Sequence, residues 1–442
     1  MRPHQEGTAF ACIPFLEVPT SYSSQMADVS LTNREQTMKS KPRKNAQAPA
    51  NDRQARLLAT RNAKMARSVH AYVRGNTLKF YEWLGEAGAK SLPQGPAIWI
   101  CGDCHTGNLG PVSDSRGRIE IQIRDLDQTV IGNPAHDLIR LGLSLATTAR
   151  GSDLPGITTV HMMEAVFQGY EDAFSGKADA SIPDKIPDII HVVMREAVRR
   201  SWKHLARERL EDVQPTIPLG RRFWPLNEQE KAEIRALFEV DSIAQLATSL
   251  RGRPNEGKVE VLDAAYWVKG CSSLGRLRYA VLLDVDGGVI EGDDLCLIDI
   301  KEGVKAAAPC YADSEMPMDN AERVVTGARH LSPSLGERTR SARLMDGSVV
   351  LRELLPQDIK LEVDALEQEQ AMNVARYLAF VVGKAHARQM DRPTRRSWLA
   401  ELQRNRTRRL DAPSWLWNSV VELVSSHEAG YLEHCRRFAI RE

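Results

Sequence analysis

Apolar and polar residues alternate over residues 118–123: Ile119, Ile121 and Ile123 share one face, and Arg118, Glu120 and Gln122 share the other. A period of two predicts a half-buried strand. Just upstream, Pro96-Ala97-Ile98-Trp99-Ile100 is a short uninterrupted apolar run and predicts a second, fully buried strand. The period lengthens to that of a helix over residues 137–150, 161–174 and 188–210. Pro187 precedes the last of these and suits a helix start. Ahead of all of them, residues 54–84 predict two helices joined near Arg74-Gly75.

The texture changes near Glu256. Residues 266–269 and 276–283 predict strands, and Asp286-Gly287-Gly288 supplies a turn. Residues 295–301 predict another strand. Residues 340–345 and 348–354 flank Asp346-Gly347, a strong hairpin signal. Residues 367–389 and 413–437 return to helix. The chain shows no internal repeat.

The order predicts an α+β protein in four parts: a tail over 1–52, a helical lobe over 53–255, a small β-rich lobe over 256–356, and C-terminal helices over 357–442 that complete the large lobe. The tail carries the basic run Lys39-Ser40-Lys41-Pro42-Arg43-Lys44 amid Ser, Thr, Gln and Pro. Such a segment buries too little apolar surface to offset the entropy of ordering, so it is expected to be disordered.

Composition narrows the partners. The 442 residues are 42% apolar and 26% charged, with a formal net charge of +1. This balance gives no clear sign of nucleic-acid binding. No apolar run reaches the roughly 18 residues of a membrane span. No cationic segment precedes a secretory apolar stretch. Seven scattered cysteines fit a reducing cytoplasm better than a disulfide framework. The expectation is a cytoplasmic protein with no membrane partner.

The candidate chemistry begins at Asp103, just after the apolar strand, in a loop holding Gly102 and Gly107. Asn108 follows five residues later, and Asp125 follows the alternating strand. Two strands therefore deliver two carboxylates and an amide to one place. Phosphoryl transfer needs such a set: one Asp to orient or deprotonate the acceptor hydroxyl, and an Asn with another Asp to hold magnesium on nucleotide phosphates.

The segment Cys101-Gly102-Asp103-Cys104-His105-Thr106-Gly107-Asn108, with Arg124-Asp125-Leu126-Asp127 and His136-Asp137-Leu138, resembles the aminoglycoside-phosphotransferase branch of the protein-kinase-like superfamily. That branch carries His-Gly-Asp-x-His-x-x-Asn, then Ile-Asp-x-Asp, then Tyr-Asp-Leu. The resemblance implies Asp103 as catalytic base with His105 in the catalytic set. It implies Asn108, Asp125 and Asp127 as metal ligands and Asp137 as a buried support. Cys101 departs from the pattern, where relatives carry His. A closer resemblance runs from about Arg53. It rests on Tyr72-Val73-Arg74-Gly75, Cys101 to Gly110, Arg124 to Thr129, Lys269 to Gly275, Ile300-Lys301-Glu302 and Gly383 to Arg388. It is to the bacterial domain-of-unknown-function 2252 family, and it speaks to fold more than to substrate.

A kinase also needs a small lobe over the nucleotide, and too little strand precedes Asp103 to build one. The missing parts come later. Lys269-Gly270-Cys271-Ser272-Ser273-Leu274-Gly275 lies between two strands, where Gly270, Ser272, Ser273 and Gly275 suit a phosphate-covering loop. Lys301 ends the next strand, as a phosphate-pairing lysine should. Its helix carboxylate partner is expected at Glu322, with Glu315 and Glu302 as alternatives. The hairpin at Asp346-Gly347 would complete the small lobe, Leu355-Pro356 would begin a hinge, and the helix holding His386 would precede the catalytic loop. The implied fold is a circularly permuted two-lobe kinase, opened just before Ile98.

The expected function is ATP- and magnesium-dependent phosphoryl transfer to an unidentified small-molecule or protein hydroxyl. Nucleotidyl (AMP) transfer and a catalytically inert nucleotide-binding regulator stand as alternatives. Cys101-x-x-Cys104-His105 also matches haem-attachment and dithiol patterns. Haem attachment would need export, and no second cysteine pair has zinc spacing.

Overall fold

The computed structural model describes residues 50–86, 92–152, 154–174, 186–199, 216–248, 257–271, 274–285, 295–355, 366–404 and 412–438. Most of the tail, Ser272, Ser273, the Asp286-Gly287-Gly288 turn and the hinge residue Pro356 lie outside these residues.

The segment expected as two helices forms three: α1 (Ala50–Met65), α2 (Val69–Gly75) and α3 (Thr77–Glu86). Ser68 starts α2 by accepting the Ala71 N–H at 3.1 Å. A hydroxyl there satisfies a donor that has no partner inside the helix. The apolar run becomes β1 (Ile98–Ile100). β2 (Leu109–Ser113) pairs antiparallel with the expected alternating strand, β3 (Ile119–Ile123), in a register that sets Leu109 opposite Ile123. β4 (Val130–Gly132) pairs antiparallel with β1. The helices α4 (Ala135–Gly151), α5 (Gly156–Asp172) and α6 (Asp188–Arg199) follow where periodicity predicts them, and residues 200–210 of the third expected helix lie outside the described residues.

β5 (Phe223–Trp224), α7 (Glu228–Phe238) and α8 (Asp241–Thr248) lead into the sheet. α7 carries a legible start signal: Asn227 and Glu230 form a reciprocal capping box. The sheet continues with β6 (Val259–Trp267), β7 (Arg278–Val285) and β8 (Leu295–Glu302). Then come α9 (Asn320–Leu331), the short α10 (Pro333–Glu337), β9 (Thr339–Leu344) and β10 (Gly347–Leu354). All six strands pair antiparallel in the order β5-β6-β7-β8-β10-β9. The hairpin turns at Met345 and Asp346, both at positive φ. The chain closes with α11 (Gln368–Ala387), α12 (Arg392–Gln403) and α13 (Ser414–Phe438). The protein is thus a mixed α+β structure.

The sheet buries both faces. Tyr279, Val281, Leu283, Cys296, Ile298 and Ile300 pack with α7 and α8, while Ala280, Leu282, Leu295 and Leu297 pack on the opposite face. On β8 the period of two puts Leu295, Leu297, Asp299 and Lys301 on one side. A separate core joins β1 to β4 with α4, α5, α11 and α13. Ala321, Val324, Val325 and Leu331 of α9 belong to it, whereas Leu57 of α1 belongs to a sheet core. Among the described residues, no helix is long and apolar enough to cross a membrane.

One feature of the helical core predicts acid sensitivity. His427 on α13 is fully buried, its Nδ1 2.8 Å from the Leu423 carbonyl. Burial, aided by the charge of Arg140, pushes its pKa down to about 3. An unfolded histidine titrates near about 6.5. Between those values the unfolded chain holds a proton that the folded one lacks, so stability falls as pH drops. The expected slope from this residue approaches about 1.4 kcal/mol per pH unit. Urea midpoints across this range should show it, and His427→Gln should flatten it. Equal slopes for the two proteins would refute the assignment.

Candidate functional site

Three short segments build the site, and long-range hydrogen bonds hold each one. The first follows β1. Asp137, on the first turn of α4 and fully buried, accepts the backbone N–H groups of Cys101 at 2.7 Å and Gly102 at 2.9 Å. His386 of α11 bonds the same carboxylate at 3.1 Å. Gly102 has φ +73°, and a Cβ there would come 2.1 Å from the Gln128 carbonyl oxygen, so no other residue fits. The bend turns the chain so that Asp103 leaves the strand pointing at α3 and α4. Arg140 grips Asp103 Oδ1 through Nε at 2.9 Å and Nη2 at 2.8 Å. The Thr77 hydroxyl donates to Oδ2 at 2.8 Å. Burial raises the Asp103 carboxyl above its usual range, against the opposing pull of Arg140 and Thr77. A raised carboxyl is a better proton acceptor.

The second segment is the loop after β3. Arg352 of β10 donates to the Arg124 carbonyl at 2.9 Å. Arg323 of α9 donates to the carbonyls of Thr129, Asp127 (3.0 Å) and Val304 (2.8 Å). Asn108 donates its amide N–H to the Asp103 carbonyl at 2.9 Å, which closes the first loop on itself, and to the Asp125 carbonyl at 3.5 Å, which ties that loop to the second, leaving its Oδ1 as the donor for a cation. The third segment is the end of β8. Lys301 sends its ammonium to both Asp125 oxygens at 3.1 Å and to Asp127.

The electrostatics of this trio are tightly coupled. Burial alone would raise the Asp125 carboxyl, but Lys301 and Arg278 outweigh it and hold it far below the carboxylate range. Burial, then the charge of Asp125, pushes Asp127 upward. Behind Lys301, Arg278 forms a buried two-point pair with Asp299, at 2.8 and 2.5 Å.

A cavity of about 270 Å³ opens where the segments meet. Asp103, Asn108, Asp125 and Asp127 line it together with Thr77 and Arg276. The turn between β6 and β7 stands beside it. Gly270 and Gly275 there have φ of +84° and +96°, values that favour glycine. Lys64 of α1 donates to the Gly270 carbonyl at 2.9 Å. Ser272 and Ser273 lie outside the described residues.

Asn108, Asp125 and Asp127 offer hard oxygen donors of the kind magnesium takes. Among the described residues, no cluster of three or more His, Cys, Asp or Glu is arranged to hold a metal. Two carboxylates and an amide suit an ion shared with phosphate, because magnesium keeps much of its water and completes its shell on a ligand.

The structure therefore brings Asp103, Asn108, Asp125, Asp127 and Lys301 together. It does not bring Glu322 to Lys301. Glu322 is exposed on the first turn of α9, and among the described residues the carboxylates pairing with Lys301 are Asp125 and Asp127. The adjacent Arg323 turns inward instead. His105 is buried and is not among the residues lining the cavity. Burial, then Arg74 and Arg140, push its pKa well below that of a free imidazole, so it stays neutral. Cys101 and Cys104 are buried and form no disulfide, and their mutual hydrogen bond and burial push the Cys101 thiol up, away from thiolate chemistry.

Sequence reasoning missed Thr77 and Arg140. Arg140 had at most a weak signal: with Asp137, Ser144, Thr147 and Thr148 it forms a polar stripe along α4 that reads as a solvent face, and only packing buries it. Thr77 had none.

Residues 53–437 match the profile of a bacterial family described as "Uncharacterized protein conserved in bacteria (DUF2252)". No curated protein and no solved structure matches the chain.

Proposed function

We propose, from the premise that the chain belongs to the DUF2252 family, that it is an ATP- and magnesium-dependent phosphotransferase built on a circularly permuted kinase-like fold. The observation that carries this reading is the meeting of Lys301 with Asp125 at 3.1 Å across 176 positions of sequence. A phosphate-pairing lysine and a metal-holding aspartate must reach one triphosphate, and phosphoryl transfer supplies a reason for them to converge.

Three further contacts support it. Asp137 braces the Asp103 loop from beneath through two backbone N–H groups. Asn108 ties that loop to its own Asp103 carbonyl. Gln389, just past α11, bonds both the N–H and the carbonyl of Trp99 in β1, at 2.9 and 3.0 Å. A helix packed so closely on the strand before the catalytic loop is what a permutation opened before Ile98 leaves behind.

In this reading Asp103 orients the acceptor hydroxyl and takes its proton. Asn108 Oδ1, Asp125 and Asp127 would hold magnesium, which supplies charge neutralisation on the phosphates. Lys301 and the backbone N–H groups of the Gly270–Gly275 turn bind phosphate oxygens. The acceptor is a small-molecule or protein hydroxyl.

Calorimetry tests the metal assignment. ATP should bind more tightly with magnesium than without it, and Asp125→Ala should abolish that gain, because the ion and the nucleotide share one site. Equal affinity with and without magnesium would sink the reading.

A further inference from the structure

Asp103 has two oxygens, and Arg140 holds one of them. The other already serves a hydroxyl, that of Thr77, at 2.8 Å. This is the contact an acceptor makes with its general base. Thr77 also lines the cavity shared by Asn108, Asp125, Asp127, Arg276 and Lys305. Gly75, two residues before it, lies against Cys271 at the start of the glycine-rich turn, so close that a Cβ there would come 2.9 Å from Cys271 Sγ. Cys271, in the turn assigned to phosphate, thus adjoins this stretch of chain. Thr77 opens the ten-residue helix α3, whose first turn carries no acidic residue. A phosphate there would meet the positive end of the helix dipole, and Arg61 and Lys305 line the same cavity.

We propose that Thr77 is a phosphoryl acceptor and that the protein phosphorylates it in cis from a nucleoside triphosphate; this rests on the phosphotransferase reading above. Thr77 Oγ1 forms a bond to the γ-phosphorus. The bond from that phosphorus to its bridging oxygen breaks, and the nucleoside diphosphate leaves with the electron pair. The hydroxyl proton passes to Asp103 Oδ2. An acceptor already held against the base needs no encounter. Modification therefore proceeds at a rate independent of protein concentration and stops at one phosphoryl group on Thr77.

The test incubates the full chain with ATP and magnesium, follows intact mass and maps the modified peptide. ATP–magnesium binding is measured by calorimetry on the same preparation. The expected result is one phosphoryl group on Thr77, retained in Thr77→Ser, absent in Thr77→Val, and formed more slowly, by about a hundredfold or more, in Asp103→Asn. Bound ATP–magnesium with unmodified Thr77 overturns the assignment and leaves the phosphotransferase reading standing. No ATP–magnesium binding overturns both. An equal mass gain in Thr77→Val, or a rate that rises with protein concentration, also overturns it. If Thr77→Val folds poorly, peptide mapping of the wild type and Thr77→Ser decides.

Discussion

In the proposed phosphotransferase, replacing Asp103 by asparagine is expected to lower phosphoryl turnover about a hundredfold or more, because the amide cannot take the acceptor proton. The structure adds a second consequence. Asp103 is the counter-charge of Arg140, whose side chain is only 1% exposed. Removing one partner of a buried pair costs roughly 3–5 kcal/mol. The single variant should therefore lose both activity and stability, and the two losses must be separated. Asp103→Asn combined with Arg140→Gln removes both charges and should recover much of the stability without recovering turnover. ATP–magnesium binding should survive in the double variant, since Asn108, Asp125 and Lys301 are untouched. Retained turnover in a folded Asp103→Asn protein would place the base elsewhere. Turnover restored by the Arg140 change would show that the first loss was one of folding alone.

Asp137→Ala should rank with Asp103→Asn among the most destabilising single changes near the site. It strands the N–H groups of Cys101 and Gly102 in a buried place. Each stranded donor costs about 1–3 kcal/mol, so a total of roughly 2–6 kcal/mol is expected in urea unfolding. The loss also breaks a relay: Trp398 donates to the Tyr170 hydroxyl, Tyr170 meets His386, and His386 meets Asp137. This relay ties α12, α5 and α11 to the loop carrying Asp103, so turnover should fall with stability. His386→Phe, which leaves both backbone contacts in place, should cost less. A change below about 1 kcal/mol for Asp137→Ala would show that the loop is held by other means.

The sequence alone was enough to find Asp103, Asn108 and Asp125 as one constellation, while Asp137 came only with the family resemblance. Their spacing is local, and the flanking strands announce themselves by period. The Asp346-Gly347 hairpin and the long helices were legible for the same reason: a two-residue or 3.6-residue repeat is written along the chain. The starts of α7 at Asn227 and of α9 at Asp319 were also written there as capping residues; a helix at Glu322 was expected, whereas the weaker amphipathic pattern of α7 hid that helix. Tertiary packing decided the rest. Thr77 and Arg140 reach Asp103 across 26 and 37 positions, and no periodicity encodes which helix face turns toward a loop. Lys301 was expected to seek a helix glutamate. Instead α9 presents Arg323 to the Asp127–Thr129 backbone and leaves Glu322 in solvent, so Lys301 pairs with Asp125 and Asp127. A residue's type and spacing set what it can bond. Its partner is set by which elements pack together, because a buried charge must pair with whatever opposite charge the packing brings within reach.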